Sequence, residues 1–312
     1  MELNPLSTDA PDLRVRLGAL ELANPVLTAS GTFGYGEEVA DMVDLLRLGG
    51  IVCKTVTRAP RAGNPPPRTT ETPAGMLNAI GLQNVGLEAF RRDKLPFLRA
   101  TGTRLIVNVA GENTADFAEL CAALNEEAGV DALELNISCP NVAHGLDYAS
   151  DPAQTEAVVR ACRAATRLPL LVKLSPNVTD IAVIARAAQD GGADALTVAN
   201  TFVGMAIDTR TRRTRLSNGT GGLSGPAIRP LALRAVWKCA GAVSIPIVGV
   251  GGIAAANDAL EFLIAGASAV QVGTATFVRP DAALGVVDGI AAYLREHRMD
   301  SVRDLIGSLQ TR

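Results

Sequence analysis

The 312-residue sequence carries 29 Lys+Arg against 32 Asp+Glu, a net charge of −3, with 48% hydrophobic and 4% aromatic residues. That apolar share excludes a disordered chain, and the mildly acidic balance argues against nucleic acid, which needs a basic footprint. Five cysteines, an odd number with no C-x-x-C pair, and two histidines exclude a disulfide framework, an iron–sulfur ligand run and a His-rich metal site in this chain.

The start, MELNPLSTDAPDLR, is acidic and polar and does not read as a secretory signal. LRVRLGALELANP (13–25) alternates around Gly18 and predicts a β-hairpin. Eight short apolar runs then recur: 26–30, 51–54, 105–109, 132–136, 170–174, 195–200, 247–251 and 269–273. They are apolar throughout rather than alternating, as parallel strands covered on both faces require. Amphipathic helical patterns follow them at 36–48, 87–99, 114–128, 152–167, 178–190, 227–241, 255–265 and 281–297. Asn113-Thr114, Ser150-Asp151-Pro152 and Asn177 to Asp180 supply start signals, and an Ala/Gly-Gly turn before the strands at 132, 195 and 269 supplies stop signals.

Eight β/α units predict an α/β fold, a TIM (β/α)8 barrel in one domain over 1–312. The hairpin would close its N-terminal mouth. Long strand-to-helix loops at 55–86, 137–150 and 201–225 would crowd its C-terminal face, where this architecture places active sites. The longest uncharged stretches, 239–257 and 262–278, are broken by Pro, Gly and polar residues and read as buried strand plus turn, so no membrane partner is expected. Cysteine usage points to a reducing, cytoplasmic setting.

Gly251 and Gly252 after the seventh run, with Gly273 and Thr274 after the eighth, form a paired phosphate-binding pattern, backbone N–H groups and a helix N-terminus facing the anion. A dinucleotide fingerprint in GVGGIAAA lacks the third glycine spacing and an acidic residue ending the next strand. Lys54 and Lys173 close apolar strands, where a cation needs a partner. They read as charges facing the barrel mouth, or as lysines snorkelling from a strand end. Asn108, Asn136 and Asn200 stand at matching strand ends, and Asn78, Asn84 and Asn141 join from loops; such amides suit a heterocycle with C=O and N–H groups, or cap backbone. Cys139, held extended by Pro140, is a candidate general base or a buried thiol; Cys53, Cys121, Cys162 and Cys239 read as structural. His144 and the arginines at 210, 212, 213 and 215 read as surface groups, and Trp237 as core or interface.

NISCPN (136–141), NAIGLQN (78–84), GMAID (204–208) and GGLSGPAIRP (221–230), together with ASGTFGYG, GNPPPR, VKLSPN, GVGGI and QVGTA, resemble dihydroorotate dehydrogenases over essentially the whole chain. The resemblance is narrowest to class 1B catalytic subunits. It implies an FMN enzyme oxidising dihydroorotate to orotate in pyrimidine biosynthesis, with Cys139 taking the C5 proton. It implies that Lys54, Asn78, Ala79, Ile80, Gly81, Leu82, Asn136, Asn141, Asn200 and Thr201 meet the substrate. Ser30, Lys54, Thr55, Asn108, Asn136, Lys173, Ala199, Gly225, Gly251, Gly252, Gly273 and Thr274 would hold FMN. NAD would be the final acceptor through a separate subunit carrying FAD and a [2Fe–2S] cluster, on a homodimer core of a heterotetramer. A fumarate-dependent class 1A enzyme, an FMN barrel acting on uracil or thymine, and a noncatalytic barrel are the competing readings.

Overall fold

The computed structural model describes residues 10–138 and 148–310. Among them, eight strands run parallel in chain order around a barrel: Val26–Thr28, Ile51–Val52, Leu105–Val109, Ala132–Asn136, Leu170–Lys173, Ala195–Val198, Ile247–Val250 and Ala269–Val272. The eighth strand pairs with the first, and the barrel closes between first and second through the Leu27–Gly50 bridge. Each expected run shortens by at most two residues at its C-terminal end, where the chain leaves the ladder.

The helices pack outside the barrel, and three of them have starts fixed by side-chain caps. Asn113 accepts from Asp116 N–H at 3.0 Å, Asp151 from Ala153 N–H at 2.8 Å, and Asp180 from Ala182 N–H at 3.2 Å. Gly129, Gly192 and Gly266 end helical turns at φ 84, 98 and 115, a region closed to most side chains.

The hairpin forms as expected, Val15–Leu17 against Leu20–Leu22. Its inward Val15, Leu17, Leu20 and Leu22 are buried while Arg16 and Glu21 face water. A Cβ at Gly18 would lie 2.9 Å from Asp194 Cβ, and Arg104 donates to Glu21 carbonyl at 3.2 Å. Asp194 and Arg104 directly precede the sixth and third strands, so the hairpin covers the N-terminal end.

Three expectations need correction. Residues 36–48 form no helix but two 3-10 turns, Glu37–Val39 and Leu45–Arg47. Gly36 enters at φ 84, and Asp44 Oδ1 takes the Leu46 N–H at 3.2 Å, restarting the chain instead of continuing a helix. Trp237 is half exposed on helix Arg229–Ala240 and is no core residue. The first and third loops, expected as loops without strands, contain four: Thr69–Thr72, Gly75–Asn78, Gly221–Ser224 and Phe202–Gly204 build an antiparallel sheet. Glycine and threonine in these strands carry no hydrophobic alternation, so the sequence pattern hides them. Beside it, Ile207–Asp208 pairs with Arg213–Thr214, and the arginines at its tip are exposed. No helix among the described residues is long and apolar enough to cross a membrane.

Candidate active site

Strand alternation decides what the barrel mouth contains. In Ala132–Asn136, Glu134 and Asn136 share one face, and Leu133 and Leu135 take the other. Register then sets neighbours: Asn136 pairs with Lys173 across the fourth and fifth strands, and Lys173 with Thr197 across the fifth and sixth.

Above these strand ends lies a cavity of about 1010 Å³, lined by the barrel mouth and the four-stranded sheet. It has room for more than one small ring system. From the barrel come Ser30, Lys54, Thr55, Asn136, Lys173, Ala199, Asn200 and Thr201, and from the sheet and its edges Asn78, Ala79, Ile80, Gly81, Leu82 and Gly225. Gly251, Gly252, Gly273 and Thr274 line the same cavity. Asn108 does not: it is fully buried one layer below, accepting the Thr55 hydroxyl at 2.6 Å. Cys139, Asn141 and His144 lie outside the described residues. Asn84 is a brace for its loop, accepting from Gly86 N–H at 2.8 Å and donating to Leu82 carbonyl at 2.8 Å.

One wall is an amide and hydroxyl cluster. Ser138 donates to Asn136 Oδ1 at 3.0 Å, and Asn200 donates to Ser138 Oγ. Asn200 Oδ1 accepts Thr201 N–H at 2.8 Å, and Asn78 donates to Gly222 carbonyl at 3.3 Å. Lys54 enters from the second strand end, its N–H tied to Gly34 carbonyl at 2.9 Å. Burial, and then the nearby Arg68, push Lys54 below the usual lysine value. Arg68 lines the cavity too, so two cations face this end and favour an anionic ligand.

Gly251, Gly252, Gly273 and Thr274 form another part of the cavity wall. The first turn of Ala256–Ile264 is already capped: Asp258 Oδ2 accepts Ala254 and Ala255 N–H at 2.9 Å each, and Asp258 pairs with Arg229. The Thr274–Phe277 turn instead has no side-chain cap. Gly251 and Gly252 run beside it at φ 132 and 78, and a Cβ there would strike Ala232 and Arg229 at 2.7 Å. Uncapped backbone beside side-chain-free glycines fits the phosphate of FMN.

The structure adds Glu134, Gln271, Ser138 and Ser224, which the sequence reading passed over. Glu134 and Gln271 are fully buried within apolar strands. The signal that flagged the lysines, a polar group inside an apolar run, marks them equally.

A family model described as dihydroorotate dehydrogenase matches residues 12–294. The chain belongs to the dihydroorotate dehydrogenase family. It is 56% identical over 301 residues to a protein of Pelobacter propionicus named dihydroorotate dehydrogenase B (NAD(+)), catalytic subunit, covering 96% of this chain and 99% of that one. Relatives of the same name in Trichlorobacter lovleyi and Geotalea uraniireducens are 55% and 54% identical, with the same coverage. The barrel, its mouth cavity and the motif positions around it are thus those of a dihydroorotate dehydrogenase family member.

Proposed function

We propose that this chain is the catalytic subunit of an NAD-linked dihydroorotate dehydrogenase, oxidising dihydroorotate to orotate in pyrimidine biosynthesis. The observation that carries the reading is a single cavity uniting an uncapped glycine-rich end, a strand-end lysine, and an amide wall beside two cations. Bound there, FMN supplies a two-electron acceptor for the hydride leaving C6 of the substrate. Gly251, Gly252, Gly273 and Thr274 hold its phosphate; Ser30, Thr55, Lys173, Ala199 and Gly225 flank the rest, with Asn108 acting through Thr55.

Lys54 binds the substrate carboxylate, with Arg68 adding positive field. Asn78, Asn136, Asn141, Asn200 and Thr201 satisfy the C=O and N–H groups of the pyrimidine, and residues 79–82 close over it. Cys139 accepts the C5 proton as general base, a role worth roughly 10²- to 10⁴-fold in rate. Electrons then pass to NAD through a partner subunit carrying FAD and a [2Fe–2S] cluster, on a dimer of this chain. The naming of the relatives as catalytic subunits supports that division of labour. The buried free thiols among the described residues support a reducing, cytoplasmic setting.

The test is a visible spectrum of the purified chain, followed by anaerobic dihydroorotate. A yellow protein that bleaches is expected. One that stays yellow with dihydroorotate but bleaches with a dihydropyrimidine lacking the carboxylate would overturn the substrate assignment. Cys139→Ala should keep its flavin and lose turnover at least 100-fold.

A further inference from the structure

The mouth of the barrel rests on a buried charge that the reaction itself does not use. Glu134 has no solvent exposure. Asn108 Nδ2 donates to its Oε1 at 2.7 Å, and Thr197 Oγ1 and Gln271 Nε2 donate to its Oε2 at 2.6 and 2.7 Å. Gln271 gives its amide N–H to this carboxyl although its own Oε1 has no partner among the described residues. Donors converging from the third, sixth and eighth strands suit an acceptor-only carboxylate. Lys173 Nζ lies 4.0 Å from Oε1, too far for a hydrogen bond, with its side chain in the cavity wall. The carboxylate is thus satisfied by neutral donors. Lys173 remains turned to the cavity, with a fixed negative charge behind it.

We propose that Glu134 acts on the occupant of the cavity through its charge, from behind Lys173 and independently of it. It is a built-in counter-charge that tempers the pull of the lysine on electrons and keeps the bound flavin reducing enough to pass them to a nicotinamide-level acceptor. This rests on the reading of the cavity as an FMN site. A negative charge held beneath the ring opposes the gain of negative charge on reduction; the ammonium favours it. Glu134 and Lys173 therefore act on the flavin with opposite sign.

The readout is the midpoint potential of bound FMN, measured by anaerobic dye equilibration on the intact protein. Glu134→Gln keeps the shape and removes the charge. Its potential is expected to rise, increasing the reduced-to-oxidised flavin ratio at a fixed dye poise on the order of tenfold. Glu134→Asp, which keeps the charge, should stay near the wild type. Lys173→Met should move the potential down, and adding Glu134→Gln to it should bring the potential part of the way back. That double variant also removes both charges together, which folded proteins tolerate better than an orphaned partner.

An unchanged or lowered potential in flavin-loaded Glu134→Gln overturns the proposal. So does a double variant indistinguishable from Lys173→Met, should the single Glu134 variant fail to fold. A wild-type protein that binds no FMN overturns the cavity reading instead, so the two failures are separable.

Discussion

The hydroxyls of Ser224 and Thr274 meet at 2.8 Å across the cavity. Ser224 ends a strand of the four-stranded sheet, and Thr274 opens the turn after the eighth barrel strand. The contact ties the sheet to the turn after the eighth strand, the proposed phosphate end. Ser224→Ala should loosen that tie with no change of charge. Loss of one neutral hydrogen bond is worth about 1 kcal/mol, so the FMN dissociation constant should rise about fivefold. Fluorescence titration of the flavin-free protein measures it; an unchanged constant would mean that the turn holds its own geometry.

Lys54 gives a pH prediction. Its value in the folded protein lies below 10.5, through burial and then Arg68. Between that lowered value and 10.5 the unfolded chain binds more protons, so this group's contribution to stability rises with pH across the window. Below the window both states are charged and the burial cost is present in full. A bound carboxylate favours the protonated lysine. Orotate affinity should therefore be level at neutral pH and fall as pH climbs through the lowered value, by at most tenfold per unit. Lys54→Met should bind orotate weakly and without this dependence. Titrating flavin absorbance with orotate from pH 7 upward separates the two; parallel profiles would remove Lys54 from the anion site.

The barrel strands were legible because each is a short apolar run, three of them preceded by a helix-ending glycine turn, a pattern that needs only local chemistry. The cavity residues at strand ends were legible for a related reason: a lysine or asparagine closing LLVK or ALELN is costly without a purpose. The sheet over the mouth was not. Gly222 pairs with Asn78 from 144 positions away, and neither strand has an alternating pattern to announce it. Glu134 was readable and passed over. It sits mid-strand, where only the three-dimensional convergence of Asn108, Thr197 and Gln271 shows what holds it. The uncapped turn at Thr274 and the Asp258 cap likewise depend on which backbone N–H groups are already taken, a question settled by tertiary structure.

The buried thiols set the alkaline limit of stability. Burial pushes Cys53 and Cys239 up from an ordinary 9.0 to about 12. Their folded-state values are raised, so the unfolded chain loses thiol protons first. The stability they support is fully present below about pH 9 and is lost as pH rises from there toward 12. Lys54 works in the opposite direction over an overlapping range, against raised values at Cys53, Cys239, Cys162 and Tyr35. Denaturant midpoints should therefore fall from pH 8.5 to 10.5. Cys53→Ala with Cys239→Ala should lower stability at neutral pH, through lost packing, and flatten the alkaline slope. An equally steep slope in the double variant would assign the effect to other groups.

Gly222, in the sheet strand Gly221–Ser224, packs directly against Thr201. A Cβ placed there would lie 2.0 Å from Thr201 Oγ1 and 2.7 Å from Thr201 Cβ. The same residue's carbonyl is the acceptor for Asn78. Gly222→Ala must therefore displace Thr201, the Asn78 amide or both, while the nearest tie to the turn after the eighth strand, Ser224 to Thr274, lies two residues along the strand. The expected outcome is a rise in KM for dihydroorotate on the order of tenfold, about 1.4 kcal/mol, with flavin content and spectrum kept. Steady-state kinetics beside the flavin-to-protein absorbance ratio checks it. Loss of flavin with an unchanged KM would place Gly222 and Thr201 at the cofactor rather than at the substrate.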